Sequence, residues 1–192
     1  ARLTFFKRMG LASLPSQSVL LCAWRGVTAG SLQSLWALAR QGFRNPDYNP
    51  DVPVYDIMIR PGDANIGRAR SIIVSDWWRD RADDVFLMVD DEIMFLPEHA
   101  DRLIALAREK RAIACGAYAT KGGAHFACQM FPMQDVAFGE GQPPVPIRYA
   151  ATGFMAVHRD VIDAIIPTLT LCHPDESWSF WPMFQEFVTH YQ

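Results

Sequence analysis

The chain has 192 residues and a formal net charge of −3, and 50% of its residues are hydrophobic. This composition is too apolar for a disordered chain, and polar residues interrupt its apolar runs before any reaches the length of a membrane span. We therefore expect one folded domain and no transmembrane segment. Because the charge balance is acidic, no overall positive field collects nucleic acid, and we expect no nucleic-acid partner.

The cysteines and the N-terminal segment bear on the compartment of the protein. The sequence contains no CxxC pair among Cys22, Cys115, Cys128 and Cys172. We expect these residues to be reduced core thiols. No uninterrupted apolar segment of signal-peptide length follows the basic residues at the start of the chain. The sequence therefore predicts a cytoplasmic protein.

Residues 19–23 and 54–59 are the first two predicted strands, since each is a short apolar run followed by turn residues. Between them, Ser31 is predicted to cap a helix that ends at Gly42. Apolar residues recur in this helix at helical spacing, and we expect its core-facing side to carry Leu32, Leu35, Trp36 and Ala39.

Residues 65–78 predict a second helix, and the continuous apolar run 85–89 predicts a strand covered on both faces. Pro97 suits the first turn of a third helix, and residues 112–115 begin the next strand. Strands that alternate with helices predict an α/β domain with a largely parallel sheet. The residues expected to face the core are Ile66, Ala69, Ile73 and Trp77 in the second helix, and Leu103, Ile104, Leu106 and Ala107 in the third.

The second half of the chain has a different pattern. Residues 125–130, 147–149 and 154–158 are short strand candidates with no helix between them, so we expect a mixed or antiparallel addition to the sheet. Residues 133–146 contain two glycines and three prolines, and they form a loop too long for a simple hairpin. This loop either covers a site or is a surface excursion without function.

Several common nucleotide-binding and hydrolase motifs are absent from the sequence. It contains no GxxxxGKS or GxxxxGKT, no GxGxxG after the first predicted strand, no HExxH and no GxSxG. P-loop nucleotide binding and Rossmann-type dinucleotide binding therefore lack support.

Three acidic residues, Asp90, Asp91 and Glu92, directly follow the apolar run 85–89. In an extended chain, residues two apart point to the same side, so Asp90 and Glu92 can present carboxylates to one point. Mg²⁺ or Mn²⁺ is commonly held by one or two carboxylates and completes its shell with water and substrate phosphates. Ligands of open α/β sheets bind beyond the carboxyl ends of the strands, where these residues lie. The alternative is a solvated turn or the cap of the next segment.

A polar turn and two arginines follow the second predicted strand. Asp63 and Asn65 precede a helix whose first turns carry Arg68 and Arg70. Backbone amides at a helix N-terminus attract anions, and either arginine can bind a diphosphate or orient the acidic residues. The alternative is that both arginines lie on an exposed helix face.

Four segments in this order resemble the GT-A glycosyltransferases of the family 2 type. They are residues 65–70 (NIGRAR), 89–93 (VDDEI), 116–121 (GAYATK) and 152–157 (TGFMAV), and the likeness extends from about residue 19 to residue 166. Those enzymes carry a helix with an Ala-Arg-Asn-like element, a strand that ends in a DxD motif, and a later Thr-Gly-Phe strand that leads into a short helix.

The resemblance implies a GT-A (Rossmann-like) three-layer sandwich with a mixed, mainly parallel sheet and a small antiparallel addition. Residues 1–17 are then an N-terminal extension, and residues 18–192 are a single catalytic domain. The chain stops inside an aromatic segment, so we expect this domain to be truncated at its C-terminus.

The resemblance also implies roles for individual residues. Asp90 and Glu92 match the outer positions of DxD and would bind Mn²⁺ or Mg²⁺, with His173 as a further candidate metal ligand. Candidates for donor binding are Ala23, Trp24, Arg25, Asp63, Asn65, Arg70 and Asp91. Gly153 and Phe154 resemble residues on the acceptor or sugar side. Asp175 and Glu176 are the acidic pair available as catalytic base. Two positions depart from the family pattern, because Glu92 replaces an Asp and Ser71 replaces a frequent Asn.

The activity implied is metal-dependent transfer of a sugar from a nucleoside-diphosphate donor to a carbohydrate or other hydroxyl acceptor. Two alternatives remain, a sugar nucleotidyltransferase and a noncatalytic carbohydrate-binding domain. Turnover of the donor separates them. Metal-dependent hydrolysis of a nucleotide sugar favours a transferase, release of pyrophosphate favours a nucleotidyltransferase, and neither product favours binding alone.

Overall fold

The computed structural model describes residues 16–23, 26–41, 54–120, 122–123, 125–131, 142–175 and 178–184. Strands and helices alternate in its first half. The elements are β1 (Ser16–Ala23), α1 (Ala29–Gln41), β2 (Val54–Pro61), α2 (Ile66–Asp80), β3 (Val85–Asp90), α3 (Pro97–Lys110), β4 (Ile113–Cys115), β5 (Cys128–Gln129), β6 (Tyr149–Ala150), β7 (Phe154–His158), α4 (Arg159–Ile165), a 3-10 turn (Ile166–Thr168), β8 (Cys172–Asp175) and β9 (Trp178–Phe180). Strand β1 already includes residues 16 and 17, which the sequence analysis placed in an extension.

A five-stranded mixed sheet with the order β2-β1-β3-β7-β4 forms the centre of the fold. Strand β1 is parallel to both β2 and β3, whereas β7 is antiparallel to β3 and to β4. Two small antiparallel sheets, β5-β6 and β8-β9, accompany it. The α/β class, the mixed sheet and the small antiparallel addition predicted from the sequence are therefore confirmed, and two of the four strand pairs in the main sheet are parallel.

The strand predicted at residues 154–158 is β7, and it is antiparallel to both of its neighbours, in agreement with a mixed or antiparallel addition to the sheet. Its position inside the main sheet, between β3 and β4, was not predicted. All five residues of β7 are buried, because helices cover it on both faces. An antiparallel strand in this position needs no crossover helix before it.

Helices cover both faces of the sheet, so the domain has three layers. Side chains alternate along each strand, which divides the core into two clusters. The odd-numbered residues of β1 and β3 pack with α1 and α3, and the even-numbered residues pack with α2 and α4. Within the described ranges, no helix has both the length and the apolarity needed to cross a membrane.

Helix α1 presents a different side to the core from the one predicted. The buried residues are Ser31, Ser34, Leu35 and Leu38, whereas Leu32 is 58% exposed and Trp36 is 63% exposed. Ser34 satisfies its own hydroxyl in the core, since its Oγ donates to the Gly30 carbonyl at 3.2 Å and accepts the Phe95 N–H at 2.9 Å. Serine is small, so the loop before α3 packs closely against α1 at these positions. A sequence analysis that looks for apolar residues alone does not find them.

The start of α1 also differs from the prediction. The helix begins at Ala29, and the Thr28 hydroxyl accepts the Ser31 N–H at 3.2 Å, so Thr28 rather than Ser31 supplies the capping oxygen. The predicted end at Gly42 lies outside the described residues. Most of the predicted Pro-rich loop, residues 132–141, lies outside them as well.

In α2 and α3, the side that faces the core is the one predicted from the sequence. Ala69, Ile73 and Trp77 of α2 are buried, while Ile66 at its first turn is exposed. In α3, which begins at Pro97 as predicted, the buried apolar residues are Ala100, Leu103, Ile104 and Ala107.

The orientation of α1 predicts unequal effects for two leucines. Leu35→Ala should lower the free energy of unfolding by about 2–5 kcal/mol, because it opens a cavity in the core. Leu32→Ala, the matched control on the exposed side, should change it by less than about 0.5 kcal/mol. Urea unfolding followed by circular dichroism measures both. Equal losses would contradict the observed face of α1.

Candidate functional site

The carboxyl ends of three parallel strands place polar side chains in one row. Arg60 of β2 pairs with Cys22 of β1, and Cys22 pairs with Asp90 of β3. Neighbouring strands are separated by about 4.8 Å, so Arg60 and Asp90 stand about 10 Å apart across the sheet. Cys22 packs in the core cluster under α2, and alternation puts Arg60 and Asp90 on the same face. Burial raises the pKa of the Cys22 thiol to about 12, so this thiol is neutral.

Helix α2 supplies the arginine that contacts Asp90. The Asn65 side chain caps the helix by accepting the Arg68 N–H at 2.8 Å, and Ala69 and Ile73 bury its inner side. Arg70 therefore projects from the second turn toward the end of β3. Its Nη2 donates to the two Asp90 carboxylate oxygens at 2.6 and 2.9 Å.

This ion pair is largely screened from solvent and leaves donors unused. The Arg70 side chain is 13% exposed and the Asp90 side chain 27% exposed. One terminal nitrogen makes both bonds, and Nε is buried without an acceptor among the described residues. Arg70 thus has spare donors beside the Asp90 carboxylate.

Arg68, the other arginine of α2 considered from sequence, pairs with Asp63. Its Nε and Nη2 donate to the two Asp63 oxygens at 3.0 and 2.8 Å, and Asp63 also accepts the Asn65 N–H at 3.0 Å. The hydrogen bond from Arg68 holds the pKa of Asp63 below its ordinary value. Asp63 and Asn65 therefore fix the start of α2, and Arg70 is the arginine that faces the acidic residues.

The acidic residues after β3 do not continue the strand. The Ile93 N–H donates to the Asp90 carbonyl at 3.1 Å and closes a turn, while the Thr28 N–H donates to the Asp91 carbonyl at 2.9 Å. The extended geometry assumed for residues 90–92 is therefore wrong, because the chain reverses direction at Asp91. Glu92 is exposed on this turn and Asp91 is half-buried.

Gly153 connects the end of β3 to the segment after β4. Its carbonyl accepts the Asp90 N–H at 2.8 Å, and its own N–H donates to the Tyr118 hydroxyl oxygen at 3.0 Å. A Cβ at this position would lie 2.3 Å from the Tyr118 Oη and 3.0 Å from Asp90 Oδ2, so a side chain here would displace the Tyr118 hydroxyl. The sequence analysis assigned no role to Tyr118, since nothing in the sequence indicates this contact.

Phe154, the other residue predicted on the acceptor side, has its ring in the core. It is buried and stacks on Phe95 with ring centroids 5.0 Å apart. A Cβ at Gly116 would lie 2.6 Å from the Phe154 ring, and the Gly116 N–H donates to the Phe154 carbonyl at 3.0 Å. Phe154 therefore supports the sheet beneath Gly153.

A cleft of about 640 Å³ opens beside this row, between the start of α2 and the β8-β9 hairpin. Asp90 and Glu92 do not line it. Among the described residues, Arg60 makes no ion pair or side-chain hydrogen bond, so it adds a positive charge to the wall. The lining residues are Arg60, Asp63, Arg68 and Ile72 on one side and Cys172, His173, Pro174, Trp178 and Phe180 on the other.

Buried serines hold the hairpin side of the cleft on α2. The Phe184 N–H donates to the Ser71 Oγ and the Trp181 N–H to the Ser75 Oγ, both at 3.0 Å. A Cβ at Gly67 would lie 2.3 Å from the Phe184 carbonyl oxygen. Ser71, which departs from the family pattern, therefore binds the chain segment that follows β9.

The remaining predicted site residues divide into three groups. Ala23 is buried at the end of β1, and its carbonyl accepts the Gly62 N–H at 3.0 Å. His173 is exposed on the cleft wall, and Asp175 ends β8. Trp24, Arg25 and Glu176 lie outside the described residues. Within the described part of the chain, no three His, Cys, Asp or Glu side chains form a cluster that would bind a metal alone.

Comparisons with known proteins return few likenesses. No family model matches the chain, and no curated protein matches it. One similar solved structure is titled "Crystal Structure of A197 from STIV", with 14% sequence identity and a TM-score of 0.48. The likeness covers 77% of this chain and 67% of that one.

The bond from Arg68 predicts a pH effect at the start of α2. A depressed carboxyl pKa contributes stability above its ordinary range, and this contribution is lost as the pH falls through the depressed value. Arg68→Ala should return the pKa of Asp63 toward the ordinary value and remove the contribution. Carbon-detected NMR titration of the Asp63 carboxyl measures the shift. Arg79→Ala, which removes a guanidinium paired with Asp76 on the same helix, should leave this titration unchanged.

Proposed function

We propose that the protein is a metal-dependent glycosyltransferase with a GT-A-like fold, acting on a nucleoside-diphosphate sugar and a hydroxyl acceptor. The observation that supports this best is convergence around Asp90. Arg70, Tyr118 and Gly153 belong to three separate segments that resemble glycosyltransferase motifs, and all three meet at the end of the strand that carries the fourth. Strand β7 also leads directly into the short helix α4, as the family pattern requires.

The residues around Asp90 fit a hard divalent cation that takes most of its ligands from water and substrate. Mg²⁺ is usually held by one or two protein carboxylates together with substrate phosphates. Asp90 supplies one partly exposed carboxylate, and Glu92 supplies an exposed one two positions later. Asp90 and Glu92 would hold such a cation, which would supply Lewis-acid stabilisation for the negative charge on a departing diphosphate.

The chain itself provides further positive charge for the diphosphate. The Nε–H of Arg70 has no acceptor among the described residues and lies on the guanidinium that contacts Asp90, and the N-terminus of a helix such as α2 attracts anions. These donors are fixed before substrate arrives, because the cap at Asn65 and the bonds to Asp90 position the helix. Preorganised donors stabilise developing charge without reorganising during the reaction.

The cleft is the place we assign to the nucleoside. It starts at Arg60, about 10 Å along the sheet from Asp90, which is a distance that one nucleotide spans. Its far wall carries the rings of Trp178 and Phe180, and aromatic rings stack on bases. Arg60 lines the cleft and supplies a positive charge for a phosphate.

An inverting reaction needs a carboxylate to take the proton of the acceptor hydroxyl. Asp175 remains our candidate because it ends β8, whose other residues line the cleft, and Glu176 remains one because it follows Asp175 in the sequence. The products distinguish this proposal from its alternatives. With Mn²⁺ and a panel of nucleotide sugars, a glycosyltransferase releases the nucleoside diphosphate, whereas a nucleotidyltransferase forms or consumes pyrophosphate.

Removing the charge of either Asp90 or Glu92 should abolish metal-dependent nucleotide binding. Asp90→Asn and Glu92→Gln keep the size of the side chain and remove the charge that a divalent cation requires. Thermal shift with UDP, GDP, ADP and CDP, each with and without Mn²⁺, measures the loss. Asp76→Asn, an exposed acidic residue near the other end of α2, is the matched control and should behave as wild type. Unchanged Mn²⁺-dependent shifts in both site variants would contradict the metal assignment.

Arg60→Gln should weaken nucleoside-diphosphate binding by about 10- to 100-fold, since a hydrogen bond to a charged group contributes about 1.5–3 kcal/mol. Isothermal titration calorimetry measures the dissociation constant. Arg102→Gln on α3, which contacts the Gln142 carbonyl away from the cleft, is the control. If both variants bind as wild type does, the cleft does not hold the nucleotide.

A further inference from the structure

Tyr118 is fixed in place beside the acidic turn by its backbone. It follows β4, and its carbonyl accepts the Ala127 N–H at 2.8 Å. The next residue forms an isolated bridge, Ala119 with Phe126. The ring packs against the core cluster under α1 and α3. These contacts hold the ring so that its hydroxyl reaches Gly153 on the side where Asp90 lies.

The hydroxyl of Tyr118 accepts one hydrogen bond and donates none to the described residues. Its oxygen accepts the Gly153 N–H at 3.0 Å, and its own hydrogen has no acceptor among the described residues. Burial raises the pKa of Tyr118, so the group is protonated at neutral pH and remains a donor. The position calculated for a Cβ at Gly153 lies within 3.0 Å of both the phenol oxygen and Asp90 Oδ2, so both groups border the same small space.

The order of the strands indicates which part of the proposed substrate lies beside Tyr118. Along the sheet the order is β2-β1-β3-β7-β4, with Arg60 on β2, Asp90 on β3, Gly153 before β7 and Tyr118 after β4. A nucleotide sugar is a linear sequence of nucleoside, diphosphate and sugar. If the nucleoside lies at β2 and the diphosphate at β3, the sugar reaches the start of β7.

We propose that Tyr118 donates a hydrogen bond to a hydroxyl of the donor's sugar ring, an inference that rests on the proposed function. A neutral phenol suits a neutral sugar hydroxyl, whereas the arginines of β2 and α2 suit phosphate oxygens. Gly153 is then a positioning residue, since it orients the phenol through its N–H, and a side chain at this position would displace the phenol oxygen.

The first experiment compares Tyr118→Phe with wild type. Donor hydrolysis with Mn²⁺ gives kcat/KM for each sugar nucleotide, and calorimetry gives the dissociation constant of the nucleoside diphosphate alone. We expect kcat/KM to fall about tenfold and the dissociation constant to change less than about twofold, as for loss of one hydrogen bond to the sugar. Tyr55→Phe is the matched control, because Tyr55 donates to Asp101 near the start of β2, at the opposite end of the sheet.

The second experiment separates donation to substrate from support of Gly153. Difluorotyrosine at position 118 lowers the phenol pKa, and the ionised phenolate still accepts the Gly153 N–H but no longer donates. We expect kcat/KM of this protein to fall as pH rises through the lowered phenol pKa, relative to wild type over the same range. This measurement stands even if Tyr118→Phe does not fold.

Three outcomes would overturn the inference. The first is that Tyr118→Phe matches wild type in kcat/KM for the sugar nucleotide, and the second is that its affinity for the nucleoside diphosphate falls as much as its kcat/KM. The fluorinated protein would overturn it by keeping its activity after the phenol ionises. Each leaves the proposed function intact. Failure of the wild-type protein to bind or hydrolyse any nucleotide sugar would instead contradict the proposed function, and this inference with it.

Discussion

The carboxylate of Asp90 and the backbone that carries it join parts of the fold that lie far apart in the sequence. Its side chain accepts two bonds from Arg70 of α2, its N–H is bonded to Gly153 before β7, and its carbonyl closes the acidic turn. A half-buried carboxylate needs such partners, because an unpaired charge at this depth is costly. The same partners bring a helix, two strands and a turn to one point, so the requirement for charge compensation also organises the site.

The antiparallel strand β7 makes this arrangement possible. A parallel strand in its place would begin at the opposite end of the sheet, whereas β7 starts beside the end of β3. The chain thereby delivers Gly153 to the Asp90 N–H without a crossover helix. Two strands of opposite direction thus contribute their ends to one edge, and the site contains backbone as well as side-chain donors.

Sequence reasoning succeeded where a single physical pattern was strong enough. The apolar run 85–89 predicted a covered strand, and the start of α2 at Asn65 and the core sides of α2 and α3 followed from capping and helical spacing. Sequence reasoning failed where a polar group forms its hydrogen bond with a residue that is far away in the sequence. Ser34 lies in the core of α1 because Phe95 uses its oxygen, and the turn at Asp91 depends on a bond from Thr28. Neither partner is visible in the local sequence.

The site shows the same division. Asp90 and Arg70 were proposed from motif order, and they are in contact. The cleft at the β8-β9 hairpin and the bond between Tyr118 and Gly153 join residues 35 or more positions apart, and no sequence periodicity indicates such contacts.

The serines of α2 make this helix dependent on residues near the other end of the described chain. A version that ended before Trp181 would leave the hydroxyls of Ser71 and Ser75 without the two amides they now accept, and would expose the side of α2 that carries these serines.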